Sequence, residues 1–190
     1  MLPSSIVLND SENIDSNANT LSNQIEEKLK ILYEMNSKEN DQLNPNKPNR
    51  GGSESLVIGY TTGVYDMFHV GHLNILRRAK EQCDFLIVGV STDELVQKEK
   101  NHQPIINFED RCKIVEAIKY VDKVVPQYDK NKFGAWEKYH FNKMFVGSDW
   151  KGTDAWNDFE EQFAPLGVEI VYLSHTDGIS STILREIITK

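Results

Sequence analysis

The chain has 190 residues, of which 39% are hydrophobic and 26% charged, and its formal net charge is -8. This size and composition are typical of one soluble globular domain with an additional segment. An acidic chain has no general attraction for polyanions, which argues against binding to nucleic acid. The sequence also has neither a long apolar run nor the pattern of a secretory signal, so we expect a cytoplasmic protein without membrane insertion.

Residues 1–53 differ in composition from the rest of the chain. They are rich in Asn and Ser, have Tyr33 as their only aromatic residue, and end in the linker-like run NPNKPNRGGS. Apolar residues at three- and four-residue steps predict an amphipathic helix over residues 20–36, and they are Leu21, Ile25, Leu29, Leu32 and Met35. We expect a mostly disordered or partly helical extension. Its helix would serve docking or self-association, or would form only part of the time, and we expect no catalytic role for it.

From residue 54 onward, short apolar runs alternate with longer amphipathic ones. The short runs predict buried strands at 56–62, 85–90, 123–126, 143–148 and 168–173. The longer runs predict helices at 71–82, 108–120, 131–140, 154–164 and 180–188. This alternation predicts an α/β fold, a doubly wound Rossmann-like parallel five-stranded sheet with helices on both faces. Such sheets bind ligands beyond the carboxyl ends of their strands, so we expect the functional residues just after each strand.

The first predicted strand leads into a loop with two histidines three residues apart. His69 and His72 lie at the start of the next helix and would project from one face of it. The first turn of a helix offers free N–H groups and a positive dipole end, so two imidazoles there predict a phosphate site. Gly63 and Gly71 would let a ligand and its phosphates approach closely. Helix capping and a metal site are alternatives, although no further Cys or His cluster completes a zinc site.

Cationic side chains follow the second predicted strand. Lys98 and Lys100 lie in a polar segment that we predict to be a loop able to close over a triphosphate, although such lysines are often only solvated. Arg111 follows near the start of the next helix. It is either an exposed residue paired with a neighbouring glutamate or a planar cation that holds phosphate.

The ends of the fourth and fifth predicted strands supply turns with polar side chains. Gly147, Asp149 and Trp150 combine a small residue, an acid and an aromatic face, which suits a base or a substrate head group, or else forms a simple tight turn. Gly178, after the fifth strand, permits a sharp turn. The hydroxyl residues that follow would cap the last helix or hold terminal phosphates, and they are Ser180, Ser181 and Thr182.

Taken together and in chain order, five segments resemble the motifs of the cytidylyltransferase family: GVYDMFHVGH, KEK, EDR, GSDW and HTDGISST. The resemblance extends over residues 56–188 and is strongest to glycerol-3-phosphate cytidylyltransferases, with kinship to the choline-phosphate and ethanolamine-phosphate enzymes. It implies a catalytic domain over residues 54–190 that transfers CMP from CTP to a phosphate monoester and releases pyrophosphate. It also implies Mg²⁺ that arrives with CTP, without a dedicated metal site in the protein, and a homodimer.

The resemblance also implies roles for individual residues. The catalytic residues would be those that contact or neutralise the reacting phosphates, namely His69, His72, Lys98, Lys100 and Arg111. The nucleotide-binding residues would be Gly63, Val64, Tyr65, Asp66, Gly71, Gly147, Asp149, Gly178, Ile179, Ser180, Ser181 and Thr182, with Asp66 either reaching the nucleotide or ordering its loop. Trp150 and His175 would contact the substrate. Because His175 stands where the family usually has arginine, any phosphate contact there lacks a permanent charge and a bidentate fork.

Three questions remain open on sequence grounds. The acceptor is glycerol 3-phosphate by closest resemblance, with phosphoethanolamine, phosphocholine or another polyol phosphate as alternatives. The nucleotide is CTP or ATP, because the Ile-Ser-Ser-Thr motif followed by Arg185 is also similar to that of adenylyltransferases. The third question is whether the protein is a catalyst or a non-catalytic nucleotide-binding scaffold, and the two histidines, Arg111 and the Ser/Thr turn argue against a scaffold.

Overall fold

The computed structural model describes residues 56–188. The helix predicted over residues 20–36, and the predicted lack of order in the extension, lie outside the described residues. Within residues 56–188, no helix is both long enough and apolar enough to cross a membrane.

Strands and helices alternate along the described chain, as the sequence predicts. The strands are β1 (Ile58–Gly63), β2 (Phe85–Ser91), β3 (Lys123–Gln127), β4 (Lys143–Gly147) and β5 (Glu169–Leu173). The α-helices of this region are α1 (Val70–Lys80), α2 (Asp93–Lys100), α3 (Phe108–Glu116), α4 (Lys132–Tyr139), α5 (Asp154–Phe163) and α6 (Ser181–Ile188). Short 3-10 helices follow β4 and α5, at Ser148–Trp150 and Ala164–Leu166.

The strands form one parallel sheet in the order β3-β2-β1-β4-β5. Every residue of β2 is buried, which explains its nearly continuous apolar sequence. The chain first adds strands on one side of β1 and then returns to add β4 and β5 on the other side. Strand order therefore reverses between β1 and β4, which confirms the predicted doubly wound fold and marks the expected place for a ligand.

Helices cover both faces of the sheet. On one face, Leu76 of α1 and Val115 of α3 share a buried cluster with Val88 of β2. On the opposite face, Tyr60 of β1 packs against Tyr139 of α4 with ring centroids 5.8 Å apart. Side chains from α1 and α4 can therefore reach the carboxyl end of β1 from opposite sides.

The prediction that Lys98 and Lys100 lie in a loop is wrong, because these lysines lie in the last turn of α2. Thr92 begins this helix, and its Oγ1 accepts the N–H of Leu95 at 3.2 Å. Asn101 ends it in the left-handed conformation, with φ 56°. Thr and Asn at these two positions are ordinary helix-boundary residues, but eight residues are too few to show a clear helical period in the sequence.

Candidate active site

His69 caps the N-terminus of α1. The loop before it passes through left-handed conformations at Tyr65 and Met67, with φ 55° and 48°. Nδ1 of His69 accepts the backbone N–H of Gly71 at 3.1 Å. A Cβ on residue 71 would lie 2.8 Å from the imidazole ring, so Gly71 makes room for this ring. The space that the sequence analysis assigned to phosphate beside Gly71 is therefore occupied by His69.

This hydrogen bond also fixes the tautomer of His69. Because Nδ1 accepts a hydrogen bond, the proton of the neutral ring is assigned to Nε2. Burial lowers the pKa of His69 below its usual value, so the neutral ring predominates near pH 7. The Nε2 atom lies 3.4 Å from Oγ of Ser181 at the start of α6. His69 thus presents an N–H donor between the beginnings of α1 and α6.

His72 stacks directly on His69, with ring centroids 3.9 Å apart and an interplanar angle of 24°. Tyr65 and Phe68 enclose its ring at centroid distances of 5.3 and 5.5 Å. Burial, helped by the neighbouring His69, lowers the pKa of His72 to about 4, so this ring is neutral at pH 7. Its Nδ1 is buried and has no hydrogen-bond partner within the described part of the chain. A buried polar atom without a partner is unfavourable, which marks this nitrogen as a place for a ligand group.

Asp66 connects the histidine loop to two other segments. Its carboxylate accepts the N–H groups of Ile105 and Ile106, each at 2.9 Å, and an N–H of Arg185 at 2.8 Å. Its carbonyl oxygen accepts the hydroxyl of Ser181 at 2.9 Å. The sequence left two roles open for Asp66, reaching the nucleotide or ordering its loop. The contacts in the structure show the second role. The aspartate holds the β1–α1 loop against α6 and against the segment that precedes α3.

Arg111 is fully buried and is used in contacts within the protein. Its NH1 donates to the carbonyls of Val64 at 2.5 Å and Ser91 at 2.8 Å. Its Nε donates to the carbonyl of Ile106 at 2.9 Å, and its NH2 donates to Asp93 at 2.5 Å. In this structure Arg111 therefore cross-links the loops after β1 and β2 and has no exposed surface for the phosphate contact that the sequence analysis predicts.

The two lysines of α2 differ in their relation to the histidines. Lys98 and Lys100 are both exposed. The positive charge of Lys100 is among the causes that lower the pKa of His72. Of the two, Lys100 is therefore the lysine whose charge acts on the histidine site.

The residues predicted at the ends of β4 and β5 lie next to one another. Nε2 of His175 is 2.6 Å from a carboxylate oxygen of Asp149. The His175 ring lies beside Gly147, where a Cβ would be 3.0 Å from Nε2. Trp150 belongs to the same short helix as Asp149 and is 52% exposed. The structure therefore brings these four predicted residues to one edge of the sheet.

The predicted hydroxyl cluster lies at the start of α6. Gly178 adopts φ 79°, the left-handed conformation that favours glycine. Ile179 then packs over the beginning of α1. Ser180 caps α6, since its Oγ accepts an N–H of the first turn at 3.2 Å. Ser181 faces His69, and Thr182 beside it is exposed.

The sequence analysis missed a buried lysine at the same edge of the sheet. Lys132, the first residue of α4, is 7% exposed, and its Nζ donates to Oγ1 of Thr62 in β1 at 2.9 Å. Burial lowers its pKa to about 8, while the charge of Asp129 acts in the opposite direction. The available sequence signal was Asn131, which caps α4, but a cap does not show that the next side chain is buried.

Two sets of side chains lie near the carboxyl end of β1, one on each face of the sheet. His69 and His72 come from the face covered by α1, together with the start of α6. Lys132 comes with α4 from the opposite face. The neutral imidazoles, the beginnings of α1 and α6 and the lysine amino group suit phosphate oxygens. They lie at the reversal of strand order, where sheets of this type bind ligands.

A comparison with family models identifies the family of this domain. The Cytidylyltransferase-like model matches residues 60–187. The chain belongs to this family. It is 38% identical over 129 residues to the glycerol-3-phosphate cytidylyltransferase of Bacillus spizizenii, a match that covers 66% of this chain and 92% of that protein.

Two further similarities place this cytidylyltransferase-like chain among related proteins. It is 44% identical over 151 residues to the ethanolamine-phosphate cytidylyltransferase of Arabidopsis thaliana, covering 73% of this chain and 34% of that protein. Among solved structures, it resembles the lipopolysaccharide core biosynthesis protein of Thermoplasma volcanium GSS1, with a TM-score of 0.57 and 25% sequence identity. That match covers 65% of this chain and 100% of the other.

Proposed function

We propose that this cytidylyltransferase-like protein transfers CMP from CTP to a small phosphorylated alcohol, with glycerol 3-phosphate as the first choice, and releases pyrophosphate. The observation that carries the proposal is the stacked pair of His69 and His72 at the start of α1, facing the start of α6. The similarity to glycerol-3-phosphate cytidylyltransferases supports the choice of nucleotide and acceptor.

The proposed reaction needs no nucleophile from the protein. A phosphate oxygen of the acceptor attacks the α-phosphorus of CTP, and the bond from that phosphorus to the oxygen bridging to the β-phosphate breaks. Catalysis then rests on positioning and on the stabilisation of negative charge. The Nε2–H of His69 would donate to an oxygen at the reacting phosphorus. A proton on the unpartnered Nδ1 of His72 would serve the same purpose.

We assign the other parts of the substrates to further predicted residues. We place the departing pyrophosphate at the start of α6, near Ser181 and Thr182, where free N–H groups and hydroxyls favour anions. Lys100, or Lys98 beside it, would offset the charge of the triphosphate. The base or the acceptor head group would lie at the edge formed by Gly147, Asp149, Trp150 and His175.

Mg²⁺, a homodimer and a cytoplasmic location are also parts of this proposal. Within residues 56–188, no group of three or more His, Cys, Asp or Glu side chains is arranged to hold a metal. The side chains that are present, two histidines and cations, suit phosphate oxygens better than a bare divalent ion. We therefore propose that Mg²⁺ is held by the phosphates of CTP, where it supplies further charge neutralisation.

We assign the acceptor phosphate to Lys132, which lies across the sheet from the histidines. A phosphate dianion would give this buried amino group an opposite charge. We expect Lys132→Met to raise KM for the acceptor about 10- to 100-fold with a smaller change in KM for CTP, because a charge-assisted hydrogen bond contributes roughly 1.5–3 kcal/mol. Steady-state pyrophosphate release with each substrate varied in turn measures the two constants.

The pH profile supplies a second readout for Lys132. In the free protein the amino group is charged below its pKa of about 8 and neutral above it. Affinity for a phosphate dianion therefore falls as pH rises through this value, so kcat/KM for the acceptor should fall too. The exposed Lys138 at the other end of α4 provides the matched control, Lys138→Met. Equal acceptor KM values in the two variants would remove Lys132 from the acceptor site.

The decisive test of the function is pyrophosphate release with purified full-length protein across a panel of substrates. The nucleotides are CTP and ATP with Mg²⁺, and the acceptors are glycerol 3-phosphate, phosphoethanolamine and phosphocholine. We expect release with CTP and glycerol 3-phosphate at a rate well above every other pair. A preference for another acceptor would replace glycerol 3-phosphate as the assigned acceptor, and a preference for ATP would indicate an adenylyltransferase.

The non-catalytic scaffold makes a different prediction in a thermal-shift experiment. A ligand that binds the folded state raises its melting temperature, by an amount that depends on its concentration relative to Kd. An enzyme of the proposed type responds to CTP with Mg²⁺ and also releases pyrophosphate. A response without turnover for any acceptor would favour a nucleotide-binding scaffold.

A further inference from the structure

The segment between β5 and α6 connects two parts of the candidate site. It comprises residues 174–180, contains a turn at residues 177–178, and is largely exposed. Its end leads to Ser181, which faces His69, and its beginning carries His175, which contacts Asp149. The segment therefore links the edge formed by Asp149 and His175 to the start of α6.

Two side chains of α1 hold the first half of this segment. Arg78 donates from NH1 to the carbonyl oxygen of Ser174 at 2.6 Å and to its hydroxyl oxygen at 2.8 Å. Asn74 donates from Nδ2 to Oγ1 of Thr176 at 3.0 Å. Because the two donors are four residues apart, they lie on one face of α1, one turn above the other.

The same helix carries the histidines at its N-terminus. His72 precedes Asn74 by two residues, and His69 caps the helix. An α-helix of this length is stiff compared with an exposed seven-residue connection. The helix that follows the segment, α6, is held elsewhere, by the bonds from Ser181 and Arg185 to Asp66. Asn74 and Arg78 thus supply the contacts that fix residues 174–176 to the helix of the catalytic histidines.

We propose that Arg78, assisted by Asn74, is a positioning residue for the nucleotide. It holds the β5–α6 segment in the arrangement that binds the triphosphate between α1 and α6. This inference rests on the proposed function. Without the contact, the free protein samples arrangements of the segment that do not bind CTP, and apparent affinity falls in proportion to the competent fraction. The acceptor side, which we assign to Lys132 on the opposite face, should be affected less.

The variants Arg78→Gln, Arg78→Lys and Arg77→Gln test this role in the full-length protein. Arg77 is the matched control, since it lies beside Arg78 on α1 and pairs with Glu81 on the surface. We expect Arg78→Gln to raise KM for CTP about 10-fold, while kcat and KM for the acceptor change by less than about threefold. Arg78→Lys keeps a cation that can reach the Ser174 carbonyl and should recover most of the affinity. Adding Asn74→Ala to Arg78→Gln should raise KM for CTP further.

Thermal shift with CTP and Mg²⁺ provides the second measurement. Because the Arg78 bonds lie at the surface, we expect Arg78→Gln and Arg77→Gln to have similar melting temperatures without nucleotide. CTP should then raise the melting temperature less in Arg78→Gln. Equal CTP responses and equal KM values in the two variants would overturn the positioning role. CTP binding by the unmodified protein without pyrophosphate release would overturn the proposed function alone, and absence of CTP binding would overturn both.

Discussion

His72→Ala is expected to lower kcat by about 100- to 1,000-fold, the usual cost of removing one charge-stabilising donor from a site of this kind. The unpartnered Nδ1 of His72 is enclosed by aromatic rings and stacked on His69. With the ring proton on Nδ1, as proposed above, this nitrogen is a preorganised, desolvated donor, which stabilises charge in the transition state more strongly than water does. His69→Ala should lower kcat by a factor of the same order. Rates of pyrophosphate release at saturating CTP and acceptor measure the effect.

Stability separates this catalytic role from a structural one. Alanine at position 72 removes a buried nitrogen that has no hydrogen-bond partner in the described chain, which offsets part of the packing that is lost. We therefore expect a small change in melting temperature beside the large change in kcat. His140→Asn is a suitable control, because His140 is exposed and has φ 46°, which Asn tolerates. Near-normal turnover in folded His72→Ala would contradict the assignment.

Arg111→Met is expected to lower the free energy of unfolding by about 3–5 kcal/mol, as for other buried ion pairs from which one partner is removed. The substitution leaves Asp93 without its cation and three carbonyl groups without a donor. These groups lie in the loops after β1 and β2 and in the segment before α3. Chemical denaturation measures the loss of stability, and CTP-induced thermal shift measures the effect on the site.

The matched control for Arg111 is Lys113→Met in the same helix. Lys113 is exposed and pairs with Asp110, and such surface pairs contribute roughly 0–1 kcal/mol. We expect the free energy of unfolding of Lys113→Met to stay close to that of the unmodified protein. The sequence analysis gave Arg111 a phosphate-binding role instead. If Arg111→Met kept its stability but lost its response to CTP, that role would replace the structural one.

The architecture was predictable because the local pattern and the global fold agree. β-branched apolar runs such as β2 can be buried on both faces, and the amphipathic runs between them cover the sheet on both sides. Right-handed crossovers then leave few ways of arranging five parallel strands. The exception was α2, because its eight residues carry a stronger charge pattern than apolar period.

The individual site residues were predictable to different degrees. His69 and Ser181 were identifiable because they begin helices after predicted strands. The structure places Nε2 of His69 3.4 Å from Oγ of Ser181. Both roles considered for Arg111, a surface ion pair and a phosphate contact, assumed an accessible guanidinium, whereas the structure buries it against loop carbonyls. Lys132 gave no signal beyond the Asn131 cap before it, which does not show burial. Lysines at helix starts are usually solvated, and its burial arises from contact with Thr62, which lies 70 residues away in the sequence.

The sequence by itself determined the succession of strands and helices, the edge of the sheet where ligands bind and the residue types available there. These follow from hydrophobic period, helix-boundary residues and strand-end position, all of which act over a few neighbours along the chain. The tertiary structure decided which cations are buried and what they bond to, with Lys132 held beside β1 and Arg111 bonded to loop carbonyls. Burial and hydrogen-bond partners depend on residues distant in the sequence, and they determine what a charged side chain does.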